Sequence, residues 1–144
     1  MATAQPVNRL ASVDAAYIAG LIDGEGTITL TRKHRNENRQ LAVSINSTGK
    51  DLLEFVINTV GVGKITNKRI AQSHHTPSLV YAIYNQQALN LLEQVFPYLR
   101  GYKTRRAALV LRDYNKLTPR NGKYTPEQRL ARKQFESRVL AIKP

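Results

Sequence analysis

The chain has 144 residues, no cysteine, and 22 lysines and arginines against 10 aspartates and glutamates, which gives a formal net charge of +12. This length suits one domain, and the lack of cysteine excludes disulfides, thiolate zinc sites and cysteine nucleophiles. The charge favours a polyanionic partner, and on charge alone DNA, RNA and an acidic membrane all remain open. No signal peptide is visible and no stretch approaches the roughly twenty apolar residues of a membrane span, so we expect an intracellular protein without a membrane partner.

The first predicted element is a helix over about residues 14–24, which follows a flexible N-terminal arm of residues 1–13. Asp14 is placed to cap this helix, and the glycines at its end stop it. We expect residues 14–144 to form a single domain.

A β-hairpin is predicted next. Polar and apolar residues alternate over 27–35 and again over 40–46, which is the period of strands with one wet face. A turn near 36–38 joins the two strands. The apolar residues of this pattern would face the core: Ile28, Leu30, Leu41, Val43 and Ile45.

The second half of the chain repeats the order of helix, strand and strand, and then adds helices. Thr48 with Asp51 is predicted to open a helix that Gly61 and its neighbours stop. The remaining strands are predicted at about 64–71 and 79–84, and the remaining helices at about 86–96, 103–115 and 126–141. Thr125 and Gln128 form a capping box for the last helix. The order αββαββα plus C-terminal helices predicts an α+β fold, with a four-stranded antiparallel sheet backed by helices.

One run of nine residues stands at the end of the first helix: Ile18-Ala19-Gly20-Leu21-Ile22-Asp23-Gly24-Glu25-Gly26. It matches six of the nine letters of the LAGLIDADG signature and departs at the first, seventh and eighth, where Glu25 keeps the carboxylate. The likeness extends from about Asp14 to Tyr114 and includes Lys103-x-x-x-Ala107. The chain therefore resembles the single-motif homing endonucleases of the LAGLIDADG family.

This resemblance implies a site-specific endonuclease that makes a metal-dependent double-strand break in DNA. Glu25 and the backbone carbonyl of Gly24 would bind Mg²⁺ or Mn²⁺, which are hard cations that take oxygen ligands. Lys103 would neutralise charge that grows on the phosphate, and Ser47 would stand where relatives orient solvent. Asp23 is expected to bond backbone amides where the helix ends.

With one motif in the chain, the family architecture also implies a homodimer and a long pseudo-palindromic target. Ala16, Gly20 and Gly24 follow one another at i, i+4 and i+8 and form a stripe of small residues. A second helix can approach such a stripe closely, so we expect it to be the dimer interface. The alternative is that this stripe packs against the chain's own sheet.

The wet face of the sheet is the expected DNA-reading surface, because a β-ribbon fits the major groove. There, lysine and arginine can donate to guanine, and glutamine and asparagine can pair with adenine. An ordinary solvated sheet face is the alternative. The candidate residues are Thr27, Thr29, Thr31, Lys33, Arg35, Gln40, Ser44, Asn46, Thr66 and Lys68. Phosphate contact is expected from Arg100, Lys103, Arg105, Arg106, Arg112 and Lys116 on the later helices.

Two other functions remain open beside the endonuclease. One is an RNA-splicing maturase with intron RNA as partner, and the other is a catalytically inactive DNA-binding protein on the same fold. The carboxylate at Glu25 together with Lys103 favours an enzyme over the inactive protein. The expected compartment is the cytoplasm with its nucleoid DNA in a prokaryote, or the organellar matrix if the gene is organellar.

Overall fold

The computed structural model describes residues 5–67 and 77–144. Its elements are α1 (Ser12–Glu25), β1 (Gly26–Thr31), β2 (Gln40–Ser47), α2 (Lys50–Val60), β3 (Lys64–Asn67), β4 (Leu79–Tyr84), α3 (Asn85–Val95), a 3₁₀ turn (Phe96–Tyr98), α4 (Lys103–Asp113) and α5 (Pro126–Ala141). The predicted order of elements is confirmed. None of the helices in these two ranges is long and apolar enough to cross a membrane.

The four strands form one antiparallel sheet in the order β1-β2-β4-β3. Val43 lies opposite Ile28 on one side and Ile83 on the other, and Ile45 lies opposite Tyr81. These side chains are all buried against the helices. Because side chains alternate along a strand, the register leaves the other face of the sheet open. The α+β fold is confirmed.

The core lies between the inner face of the sheet and the helices. Ile18 and Ile22 of α1, Leu53 of α2 and Leu91 of α3 are completely buried there. Tyr81 is buried as well, and its hydroxyl donates to the carbonyl of Val62 at 2.7 Å. Burial raises the pKa of the Tyr81 hydroxyl well above its ordinary value. The hydroxyl therefore stays neutral and acts as a structural donor.

Strand β1 is shorter than predicted. It ends at Thr31, so the prediction that it includes Lys33 and Arg35 is wrong, and both residues lie in the hairpin loop. The carboxylate of Glu37 accepts the backbone N–H groups of Lys33 and His34 at 2.7 and 2.9 Å, which turns the chain there. These two bonds hold the pKa of Glu37 below its ordinary value, and the bond from His34 has the larger effect. The far end of the third strand, predicted over 64–71, lies outside the described residues.

The helix starts show which capping predictions were right. Thr125 and Gln128 form the predicted capping box of α5. The prediction that Asp14 caps α1 is wrong, because α1 begins at Ser12 and Asp14 falls in its first turn. The Thr48 prediction is also wrong, since Gly49 precedes α2 without a side-chain cap. At the other end of α2, Gly61 adopts a left-handed φ of 87°, which suits glycine.

Residues 5–11, predicted as part of a flexible arm, lie along the domain. The N–H of Asn8 donates to the carbonyl of Val60 at 2.9 Å. The N–H of Leu10 donates to the side chain of Gln94 at 2.7 Å. This segment is therefore attached to α2 and α3.

Candidate nucleic-acid interface and active site

Helix α1 has two apolar faces, and only one of them is covered. Ile18 and Ile22, with their neighbours Ala15 and Ala19, are buried against the sheet and α3. The opposite face carries the small-residue stripe, and its three members are exposed: Ala16, Gly20 and Gly24. The alternative that the stripe packs against the chain's own sheet is therefore wrong.

The uncovered face of α1 carries only small residues near its centre, which makes it smooth there, and exposed apolar side chains near its start. A Cβ atom added at Gly20 or Gly24 would meet nothing within 4 Å. Val13 and Tyr17, near the first turns of the same helix, are 75% and 51% exposed. Phe55 of α2 packs edge-on against Tyr17 with ring centroids 5.6 Å apart. A flat apolar surface of this kind suits close contact with a second helix.

Gly26 sets the sharp change from α1 to β1. A Cβ atom at this position would lie 2.6 Å from the Cα of Ile22 and 2.8 Å from the carbonyl oxygen of Ser44. Only glycine allows helix and strand to approach this closely. The residue before it, Glu25, is therefore fixed at the very end of the helix and beside the first strand.

The side chain of Glu25 is exposed. Across residues 5–67 and 77–144, no hydrogen bond or ion pair engages its carboxylate, and no group of three or more histidine, aspartate or glutamate side chains could hold a metal ion. One copy of the chain thus offers a single carboxylate here. An oxygen ligand of this type fits a hard divalent cation that keeps several of its waters.

Two side chains tie the start of α4 to the end of α1. The carboxylate of Asp23 accepts the backbone N–H groups of Arg100 and Gly101 at 2.8 and 3.1 Å. The ammonium of Lys103 donates to the carbonyl oxygens of Ile22 and Asp23 at 2.9 and 3.0 Å. Asp23 bonds backbone amides as expected, although they belong to the loop before α4. The ammonium of Lys103 is therefore held against the last turn of α1, the turn that ends at Glu25.

Ser47 lies at the same end of the sheet. Gly26, the neighbour of Glu25, pairs with Ile45, and Ser47 follows two residues later as the last residue of β2. Its hydroxyl accepts the N–H of Gly49 at 2.9 Å. Ser47 therefore lies at the end of the sheet where β1 begins, and the ammonium of Lys103 lies against the last turn of α1.

The open face of the sheet carries the residues predicted to read DNA. Across the strands it is arranged in rows: Thr31 and Gln40; Thr29, Ala42 and Tyr84; Thr27, Ser44, Ala82 and Lys64; and Asn46, Val80 and Thr66. Lys33 and Arg35 are exposed in the hairpin loop, and Lys68 lies outside the described residues. The predicted strand residues thus share one surface.

The open face also carries two residues that the sequence pattern did not predict. Lys64 is exposed and stands two residues before Thr66, so the alternation along β3 could have found it. Tyr84 is 45% exposed at the end of β4. Every residue of β4 is apolar or aromatic, so alternation gave no signal for Tyr84.

The base of the hairpin loop is held by α5. Arg132 is 2% exposed, and its guanidinium donates to the carbonyl of Arg39 at 2.6 Å. The carboxylate of Glu136 accepts from the N–H of Arg39 and from Arg132, each at 3.2 Å. A buried ion pair lowers the stability of the fold unless its geometry is good. Here the pair also bonds the backbone N–H and carbonyl of Arg39, so it holds the base of the hairpin loop in one position. A cavity of about 570 Å³ lies between the loop and α5, and its lining includes five basic residues and two glutamates.

Some basic residues of the later helices form hydrogen bonds or ion pairs within the chain. The guanidinium of Arg106 donates to the carbonyls of Ile28 and Ile142 at 3.0 and 2.9 Å, so Arg106 links α4 to β1 and to the end of the chain, and its phosphate contact stays a prediction. Arg112 pairs with Asp113 at 2.9 Å. The hydrogen bond from Arg112 lowers the pKa of the Asp113 carboxyl.

The chain matches known proteins over most of its length. A family model described as LAGLIDADG endonuclease matches residues 18–117. The homing endonuclease I-CvuI, in complex with its target and Ca, has a TM-score of 0.74 and 19% identity over 92% of this chain and 83% of its own. The archaeal intron-encoded I-Vdi141I, complexed with DNA, has a TM-score of 0.72 and 19% identity over 92% of this chain and 85% of its own.

A third similar structure has a longer chain. The LAGLIDADG meganuclease I-AabMI, bound to uncleaved DNA, has a TM-score of 0.64 and 23% identity over 85% of this chain but only 43% of its own. At these identities the likeness establishes the fold.

Proposed function

This chain belongs to the LAGLIDADG endonuclease family, and from that membership we propose that it cuts both strands of a specific DNA site as a metal-dependent homodimer. The observation that carries this proposal is the uncovered face of α1. The face is smooth, runs the length of the helix, and ends at the exposed carboxylate of Glu25 beside a polar sheet face. Pairing two such helices would bring two carboxylates and two reading surfaces together.

A comparison with a longer relative also supports the homodimer. The same fold takes up less than half of the I-AabMI chain, which leaves room there for a second unit. The present chain carries one motif in 144 residues. A second copy of the chain would supply the missing half.

The metal proposal rests on charge. Two copies of Glu25 brought together at the ends of paired helices would repel one another unless cations lay between them. We expect Glu25, with the carbonyl of Gly24, to hold Mg²⁺ or Mn²⁺. A divalent ion bound there would activate a water and stabilise the leaving oxygen of the phosphodiester.

The chain's own residues have separate parts in this reaction. Lys103 is held at the end of α1 by two carbonyls, and its ammonium would stabilise negative charge on the phosphate that reacts. Ser47 would orient solvent at the same end of the sheet. The polar face and the hairpin loop would fix the DNA, so the scissile phosphates would lie near the two copies of Glu25.

Selection for cleavage from a randomised library of DNA duplexes tests this function. The wild type should cut a narrow family of sites with Mg²⁺, bind them without cutting in Ca²⁺, and lose cutting in EDTA. Ca²⁺ is larger and coordinates more loosely, so it should support binding but little chemistry. DNA binding without cutting under every divalent ion would make the chain a DNA-binding protein and not an enzyme.

A further inference from the structure

Gln40, at the end of the sheet farthest from Glu25, is tied into a chain of hydrogen bonds with a fixed direction. β4 ends at Tyr84, opposite Ala42, so the N–H of Leu41 has no strand partner on that side. This N–H donates instead to the hydroxyl of Tyr114 at 3.1 Å. The direction of this first bond is certain, because a backbone N–H can only donate.

The second bond follows from the first. The oxygen of the Tyr114 hydroxyl already accepts from Leu41, and its single proton points to the Oδ1 atom of Asn85 at 2.7 Å. Tyr114 is 2% exposed, so a proton that pointed elsewhere would be buried without water. Because an unsatisfied buried donor is costly, the side-chain oxygen of Asn85 must face Tyr114.

The third bond fixes the orientation of Gln40. With its oxygen turned to Tyr114, Asn85 has only its NH₂ group to offer, and its Nδ2 atom donates to the Oε1 atom of Gln40 at 2.8 Å. Asn85 holds this position with a φ of 54°, a left-handed conformation that asparagine tolerates better than most residues. The oxygen of Gln40 is therefore turned towards Asn85, and its NH₂ group is left for another partner.

We propose that this relay from Tyr114 through Asn85 orients the amide of Gln40 so that it reads DNA mainly as a donor. The inference rests on the proposed function, because it assigns the specificity of the same sheet face. A glutamine that pairs with adenine through two bonds needs both its oxygen and its nitrogen. With its oxygen turned to Asn85, Gln40 presents its NH₂ group first, so it favours a base edge that presents acceptors, and guanine has two of these in the major groove. Asn85 and Tyr114 are positioning residues that need not touch the DNA.

Replacing Asn85 by aspartate should reverse the relay. A carboxylate only accepts, so it would take the Tyr114 proton on one oxygen and the NH₂ group of Gln40 on the other. The oxygen of Gln40 would then face the groove and select donors, such as the N4 group of cytosine. Aspartate also tolerates the left-handed backbone, so the variant should fold.

The test uses the full chain and the DNA site selected from the library. The base pair read by Gln40 is the one at which Gln40→Ala loses its preference. There the wild type should bind guanine over cytosine by roughly fivefold or more, and Asn85→Asp should reverse the preference by a similar factor. The matched control is Asn115→Asp, which adds the same charge on an exposed residue bonded to Gln86 and should keep the wild-type preference.

Two results would overturn the relay while leaving the endonuclease intact. One is an unchanged guanine preference in an Asn85→Asp protein that still cuts the selected site. The other comes from NMR of the free protein, without DNA. There the relay predicts slower hydrogen exchange at the Gln40 side-chain amide in Asn85→Asp than in the wild type. Unchanged exchange would mean that the relay does not hold Gln40. Loss of specific DNA binding in the wild type itself would instead reject the proposed function.

Discussion

Glu25 is the residue on which the proposed chemistry depends. Its carboxylate is exposed at the end of α1, and Gln has nearly the same shape without the charge. In Glu25→Gln, DNA binding should survive, while cleavage should fall by about two to three orders of magnitude, the scale of one preorganised electrostatic group in an active site. Single-turnover cleavage and binding of the selected site would measure both.

The control for this substitution is Glu127→Gln, in the exposed first turn of α5, which should cut like the wild type. Near-normal cutting by Glu25→Gln would remove this carboxylate from the mechanism. Loss of both binding and cutting would point to folding or dimerisation as the affected property.

Lys103 has two roles that one substitution can separate. Its ammonium caps two carbonyls of α1, and we propose that its charge also stabilises the reacting phosphate. In Lys103→Gln, the amide can still donate to a carbonyl but the charge is lost. Cleavage should fall roughly a hundredfold, while the free energy of unfolding should change little.

The control is Lys123→Gln, which removes the same charge from an exposed loop position. If Lys103→Gln lowers the free energy of unfolding and leaves the single-turnover rate unchanged, Lys103 has only the structural role.

At the scale of elements, the uncovered face of α1 gives a clean test of dimerisation. A side chain at Gly20 meets nothing within the chain, and leucine has the higher helix propensity by roughly 0.8 kcal/mol. Gly20→Leu should therefore stabilise the monomer slightly while it pushes two paired helices apart. Light scattering should show a monomer, and cleavage should be lost.

The matched control is Ala108→Leu, which adds bulk on the exposed side of α4 and should leave the dimer intact. A wild-type protein that stays monomeric even when bound to DNA would contradict the paired-helix architecture.

The hairpin and the later helices should contribute differently to DNA binding. Thr29 lies on the open face of β1, and Lys33 lies in the loop beyond it. Arg112 is exposed on α4, a helix that contacts β1. We expect Thr29→Ala and Lys33→Ala to alter base preference, whereas Arg112→Ala should weaken binding equally on every sequence.

Binding to single base-pair variants of the selected site, at several salt concentrations, would separate these effects. An equal loss on all sequences for Thr29→Ala and Lys33→Ala would place the sheet face away from the bases.

At the scale of the whole molecule, the proposed homodimer predicts the symmetry of the target. Two identical chains about a twofold axis would present the same reading surface twice, so the selected sites should be inverted repeats. The full site should extend over about two helical turns. Sequencing of the cleaved library would show this symmetry directly. Selected sites without an inverted repeat would contradict a homodimeric reader.

The sequence by itself determined the order of elements, the family, and the small-residue stripe of α1, the helix that ends at Glu25. These depend on patterns among near neighbours in the chain, such as the alternation in β2 and the capping box at Thr125. A hydrophobic period or a capping box is complete within a few residues, so it can be read without the fold. The length of β1 was misjudged because Glu37 turns the loop through backbone amides, which no alternation records.

Only the tertiary structure decided which face of β4 is buried, that Arg106 bonds the carbonyls of Ile28 and Ile142, and that the stripe on α1 is uncovered. The same holds for the direction of the Gln40 amide, which depends on Asn85 at 45 residues along the chain and on Tyr114 at a further 29. Such contacts join residues that the chain brings together only after the sheet and helices have packed. Their partners are set by packing and by the need to satisfy buried donors, and neither leaves a periodic trace in the sequence.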